Sequence, residues 1–251
     1  MVADRKYLAL PDAEPARFAR NFVTTAVCEL RFPTLFELEA DPPPREFVKA
    51  IRQAYPIHAL NRQVSVNATG TSEHLVHSFG GGKSAGWTVS LGAAAVTLET
   101  VSYHSFDDFL KRVEMIVNAA GPVIESSFFT RIGLRYQNAI PGMESDICQW
   151  VNPALVGALG SGVFGDTQEY SGRMSGLIGE GSGFTLMHGI GIDKKGKTSY
   201  ILDIDTYSEN IELAESLAVL KELHRQSYNI FSWCAGEKAW DHLGKNLKGS
   251  K

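Results

Sequence analysis

Two arginines and three carboxylates are the residues of this sequence best placed to do chemistry. Asp203 and Asp205 stand two apart in "ILDIDTY" (201–207). On a β-strand that spacing sends both side chains from one face, with Cα atoms roughly 7 Å apart. With Glu99 of "TLETVSY" (97–103) they make an acidic set able to hold a divalent cation or act as a general base. That is the chemistry of a metal-dependent hydrolase or nuclease. A metal centre takes three or more convergent ligands, and no HExxH or HxH spacing supplies them. No metal is assigned, and the plainer reading of the three is solvent-facing charge paired across strands.

Arg31 in "CELRF" (28–32) and Arg135 in "IGLRY" (132–136) each sit between residues that favour burial. The alternation that buries Leu30 and Phe32, or Leu134 and Tyr136, turns each arginine to the opposite face, the one carrying Glu99 and Asp203. Two guanidinium forks converging there can grip an anionic group bidentately. The structural alternative is a ladder of cross-strand ion pairs, each contributing roughly a few tenths of a kcal/mol. The ligand-binding candidates are therefore Arg31, Arg135, Glu99, Asp203 and Asp205, and no catalytic residue is assigned.

Other chemistry-bearing types give weaker signals. His74 and His77 are three apart on a predicted strand and face opposite ways, which argues against a shared metal. His188 falls among Phe184, Leu186 and Ile190 and reads as a core histidine, while His104 ends a strand at an exposed position. "FGGGKSAG" (79–86) lacks the GxxxxGK[ST] spacing of a P-loop. The glycines of "SGRMSGLIGEGSGF" (171–184) read as a hairpin whose open face admits a close neighbour, a helix or an aromatic ring being the usual one and a bound peptide strand the alternative. There is no GxSxG elbow. The three cysteines, Cys28, Cys148 and Cys234, form no CxxC pair and read as reduced, mostly buried thiols.

The elements that must carry these residues recur at a constant offset of 104 positions. That offset takes Arg31 onto Arg135, Leu98 onto Leu202, Glu99 onto Asp203, Tyr103 onto Tyr207 and Gly92 onto Gly196. In the helices it takes Phe109, Val113 and Ile116 onto Leu213, Leu217 and Leu220. The first half reads as strand 25–32, helix 44–55 after "DPPP", short strands near 62–69, 74–80, 86–92 and 94–102, and a helix opened by the Ser105–Asp108 capping box and ending near 120. The second reads as strand 129–140, helix 147–159, strands 168–180 and 183–193, a turn at "KKGK", strand 198–206 and a helix over 209–235. The expected fold is α+β and two-layered, with antiparallel sheets, helices on one face, and two pseudo-symmetric β-α-β-β-β-α halves. An N-terminal arm (1–20), a first repeat (21–124), a second repeat (125–240) and a flexible basic tail (241–251) complete the expected organisation.

The strands "TTAVCELRF" and "RIGLRYQNAI" and the segment "LHRQSYNIFSWCAGEKAWDHL" resemble a sporadically distributed, uncharacterised bacterial protein family with a central xLRYxNxI strand. The first strand has "TTAVCEL" where that family has prolines, and "SWCAGEKA" stands where its final helix has a threonine-containing turn. The resemblance implies a bacterial accessory protein, in a context of defence or toxin-associated genes, and carries over no catalytic residue.

Composition bounds the rest. A chain of 251 residues with 44% hydrophobic and 21% charged residues can bury a proper core. A formal charge of −4 provides no whole-molecule field for nucleic acid or anionic membranes, leaving room only for a local basic patch. No apolar run is long enough to span a bilayer, no secretory signal is predicted, and a cytoplasmic location follows. Aromatics do not interleave with a basic run, and Lys245, Lys248 and Lys251 read as a solvated tail. The expected function is that of a non-enzymatic binding or adaptor protein, recognising a protein, peptide or small anionic ligand through its sheet face or a groove between repeats. No cofactor is expected; the partner is a protein or a second copy of the chain, and the metal-dependent hydrolase is the alternative.

Overall fold

The computed structural model describes residues 6–14, 18–67, 70–141, 146–192 and 196–244, and for 63–67 and 70–72 the backbone alone. The fold is α+β. Its strands are β1 (Val23–Arg31), β2 (Ile57–Asn67), β3 (Gly70–Gly80), β4 (Trp87–Gly92), β5 (Ala95–Thr100), β6 (Phe128–Ile140), β7 (Ser171–Gly179), β8 (Ser182–Ile192) and β9 (Thr198–Glu212). They hydrogen-bond as one antiparallel sheet in the order β2-β3-β4-β5-β1-β6-β9-β8-β7. The helices are α1 (Arg45–Ile51), α2 (Phe106–Ala120), α3 (Pro153–Gly160), α4 (Ser216–Cys234) and α5 (Glu237–Leu243). Among the described residues, no helix is long and apolar enough to cross a membrane.

The chain divides into two compact units, one of residues 1–24, 135–206 and 224–251, the other of 25–134 and 207–223. In the second, the alternation of β1, β4 and β5 gives one buried row running Cys28, Leu98, Val89 and Phe79 across four strands. Phe47 of α1 meets Phe79 at 5.8 Å, and Phe109 of α2 meets Trp87 at 5.8 Å. Ser105 caps α2 as its capping box requires, its hydroxyl accepting from the Asp108 amide at 3.2 Å. Fully burying aliphatic and aromatic side chains of this kind contributes about 1.5–3 kcal/mol each, so the row and the two helices hold one another.

In the first unit the core gathers Ile140, Leu186, Leu202, Ile204, Ile230 and Cys234. The N-terminal arm is docked here: the Leu8 amide donates to the Leu177 carbonyl at 2.8 Å, and Asp12 takes Arg225 and Asn229. The arm thus supplies a backbone hydrogen bond to β7, the last strand in the order. The β7–β8 hairpin forms as read, turning at Gly181 with a φ of 65°. Its glycines admit aromatic rings from the partner strand. A Cβ at Gly172 would collide with the His188 imidazole, and one at Gly176 with the Phe184 ring. All three cysteines are free, and burial holds the Cys28 thiol well above its ordinary pKa and pushes Cys234 up to about 12.

Several expected elements are corrected. Helix 44–55 shortens to α1, and 147–159 splits into a 3-10 turn (Ile147–Gln149) and α3, because Asn152 caps a new helix with Pro153 at its first position. Strand β9 continues to Glu212, with Thr206 and Ser208 still on its buried face, so α4 begins at Ser216 and not at 209. Strand pairing there overrides a run of good helix formers. The final helix also breaks at Gly236, where a Cβ would strike the backbone of Gln149 and Trp150, and α5 starts afresh. The first half carries four strands after its helix, one more than the β-α-β-β-β-α pattern. Lys194 and Lys195 of the "KKGK" turn at 194–197 fall outside the described residues, as do positions 1–5 and 15–17 of the arm, 68–69 of the second strand and Lys245, Lys248 and Lys251 of the tail.

Candidate functional site

The strand alternation places the five candidates where their spacing required, on the face opposite Leu30, Leu98, Leu134 and Leu202. Arg135 and Asp203 are brought together. The Arg135 Nε donates to one Asp203 oxygen at 2.7 Å and its Nη2 to the other at 2.5 Å, a bidentate pair within the first unit. The Gln137 amide adds a bond to Asp203 at 3.4 Å. Asp203, expected on a solvated face, is buried, with its side chain 6% exposed. The guanidinium edge that an anionic ligand would use at Arg135 is therefore occupied by a carboxylate of the same unit. Asp205 follows on the same face, half-buried.

Arg31 does not meet Glu99. Its opposite in β5 is Ala95, whereas Glu99 stands opposite Val27 in β1 and Thr88 in β4. Four residues of strand separate the two positions, roughly 13 Å. Arg31 instead bonds Glu29 of its own strand at 2.7 Å, and Glu29 also takes Arg131 at 3.1 Å. Arg131 in turn lies 4.9 Å from the Tyr207 ring centroid. Among the described residues no group of three or more His, Cys, Asp or Glu side chains is placed to hold a metal.

Two grooves remain. One, of about 440 Å³ in the first unit, is lined by Arg173, Met187, His188, Ile201 and Asp203 among others. Its His188 shares a 2.6 Å hydrogen bond with the buried Tyr200 hydroxyl, and burial lowers the imidazole pKa. The imidazole is satisfied as its neighbours implied, but it is half-buried and lines the groove instead of lying in the core.

The other groove, of about 580 Å³, lies in the second unit between α1 and strands β2 and β3. Its wall on α1 is Arg45, Lys49 and Arg52 with Val48; its floor on the strands is His58 and Phe79; Pro42 and Pro43 also line it, and no acidic residue does. The local sequence explains the wall. The run Pro42–Pro44 cannot continue a strand or donate to one, and Pro44 stands at the N-cap of α1. Phe47 and Ile51 turn one side of the short helix into the core, so residues 45, 49 and 52, at i, i+4 and i+7, fall together on its exposed side. None of the three cations has an ion-pair partner among the described residues.

The floor is held by a chain of imidazoles. His77, fully buried, places Nε2 at 3.0 Å from the Ala40 carbonyl, and its Nδ1 at 3.0 Å from His58 Nε2. A carbonyl only accepts, so His77 carries its proton on Nε2, and burial lowers its pKa and keeps it neutral. Its Nδ1 then accepts from His58 Nε2–H, which fixes the orientation of the His58 ring. The ring of His58 stacks on Phe79 at 4.9 Å, with His77 at its edge.

In comparisons with known proteins, no family model, no curated protein and no solved structure matches this chain. The site is therefore read from its own geometry. The α1 groove was not among the sequence candidates. Its signal was present as the spacing of basic residues in "REFVKAIR" (45–52) directly after three prolines, but the partners of that helix face come from strands that only folding brings to it.

Proposed function

We propose that this chain is a non-enzymatic binding protein for a small anionic ligand taken up in the α1 groove. The carrying observation is the convergence of Arg45, Lys49 and Arg52, unpaired, on one concave surface without a carboxylate. Three cations on adjacent helix turns repel one another, and an anion seated among them relieves that repulsion while accepting charge-assisted hydrogen bonds. Arginine supplies the planar fork that matches oxyanions, and lysine a point charge beside it. A local basic patch on a chain of net charge −4 concentrates such ligands without attracting polyanions in general. Against a hydrolase, the carboxylate it would need most, Asp203, is bonded by Arg135 through both oxygens.

The test is calorimetric titration of the purified protein with inorganic pyrophosphate. Saturable binding that weakens with added salt is expected, with at least about a tenfold loss in an R45A/K49A/R52A variant. A wild-type protein that takes up no pyrophosphate overturns the reading.

The two-layer, duplicated construction belongs to the same proposal. Its support is the recurrence of one strand order, β1-β5-β4-β3 in the first run and β6-β9-β8-β7 in the second, with β1 and β6, and β5 and β9, at matched positions under the offset of 104. Membership of the bacterial family sharing the central xLRYxNxI strand, with its defence or toxin-associated context, rests on the quoted motifs.

A further inference from the structure

The floor of the α1 groove narrows the ligand, provided that the groove binds an anion as proposed. Phe79 is only 2% exposed, so the aromatic surface offered to the groove belongs to His58, which is exposed on β2. His58 lies close to parallel with Phe79, at 26° and 4.9 Å between centroids, while His77 meets its edge through the hydrogen bond, so the ring stacked on Phe79 and exposed is the imidazole. Its orientation is locked by the hydrogen-bond chain through His77 to the Ala40 carbonyl. A flat group laid on it orders nothing that is not already ordered, which is how rigid aromatic platforms bind cheaply. The cationic wall stands beside this platform in the same groove of about 580 Å³. That volume is in the range of small-molecule sites of about 300–1,000 Å³.

We infer that the ligand of the α1 groove is a phosphorylated small molecule bearing a flat ring, of the mononucleotide class. Its phosphate sits on the Arg45–Lys49–Arg52 wall and its ring stacks on His58 over Phe79. A phosphate dianion meets the charge of the wall better than a single carboxylate does, and its oxygens accept from both guanidinium forks. The ring face matches the planar floor, as bases match aromatic platforms elsewhere. An acidic peptide would satisfy the wall and leave the stacked floor unused.

The experiment compares adenosine 5′-monophosphate, ribose 5-phosphate, adenosine and a tetraglutamate peptide by calorimetry on the full chain at pH 7.5. The monophosphate nucleotide is expected to bind about tenfold tighter than ribose 5-phosphate, the difference being one stacked base. In H58Q the glutamine amide can still donate to His77 while the ring is gone. That variant is expected to bind the nucleotide only as tightly as ribose 5-phosphate, with ribose 5-phosphate unchanged. H58A gives the same pattern without the replacement hydrogen bond. The R45A/K49A/R52A variant should lose both phosphorylated probes. Equal affinity for the nucleotide and ribose 5-phosphate in the wild type overturns the ring assignment while leaving the anion reading standing. A nucleotide preference that survives both His58 variants overturns the floor, and tetraglutamate binding as tightly as the nucleotide overturns the ligand class. If neither phosphorylated probe nor pyrophosphate binds, both readings fall.

Discussion

Arg31 and Arg135 hold matched positions in β1 and β6, each in an "LR" pair followed by an aromatic residue, yet they have opposite fates. Arg135 faces Asp203 and binds it through two hydrogen bonds, with the aspartate side chain 6% exposed and the arginine 45%. Arg31 faces Ala95, is 53% exposed, and shares Glu29 with Arg131. The difference lies in which carboxylate each arginine reaches. The first pairing puts its carboxylate four residues from the arginine, while the second puts the two side chains in contact. A motif repeated in sequence therefore repeats its face but not its partner, because the face follows from alternation and the partner from how strands align.

The comparison breaks first at Arg135. R135A leaves Asp203 buried with only the Gln137 amide, and an uncompensated buried charge of this kind costs about 3–5 kcal/mol. R31A removes a largely solvated ion pair and should stay within about 0.5 kcal/mol of wild type. Urea denaturation of the two variants checks both, and equal losses would mean that the two pairs are not different in kind. E29A comes next. It takes the carboxylate from Arg31 and Arg131 together, and Arg131 is only 20% exposed, so a loss of about 1 kcal/mol is expected, between the other two.

The smallest effect is in the pH dependence, and it samples both units, since each carries one histidine whose pKa burial lowers. These are His188 in the first and His77 in the second. In the unfolded chain both titrate near 6.5. As pH falls through that value the unfolded state takes up protons that the folded state refuses, so stability declines on the acid side and is unaffected above it. Urea midpoints at pH 7.5 and 5.5 should show the decline, and H188N should remove its share while leaving that of His77. A midpoint that rises on acidification contradicts the assignment.

Local pattern carried a long way here. The alternation of Trp87, Val89 and Leu91, the Ser105 cap, and the glycine face opposite His188 and Phe184 all appear in the fold as read, because each depends on residues within one strand, one turn or one hairpin. The failures are at competing boundaries. Residues 209–215 include the helix formers Glu209, Glu212, Leu213, Ala214 and Glu215, but 209–212 extend β9 and 213–215 form the 3-10 turn after it, because pairing outweighs propensity. Gly236 ends α4 because of the backbone of Gln149, 87 positions earlier in the chain. The candidate site divides in the same way. The Arg135–Asp203 pair was legible as a face, and its burial was not. The basic spacing of 45, 49 and 52 was legible as a helix face, and the floor beneath it was not.

The sequence by itself determined which side chains share a face: Arg31 with Glu99, Arg135 with Asp203 and Asp205, and Arg45 with Lys49 and Arg52. Periodicities of two and 3.6 are properties of the backbone and need no partner. Only the tertiary structure decided which of these sets are neutralised. Register withheld Glu99 from Arg31, folding brought Asp203 to Arg135, and the packing of α1 over His58 and Phe79 joined three unpaired cations to an aromatic floor. Coulombic and stacking interactions act over a few ångströms, so the chemistry of each charge was settled by neighbours distant in the chain.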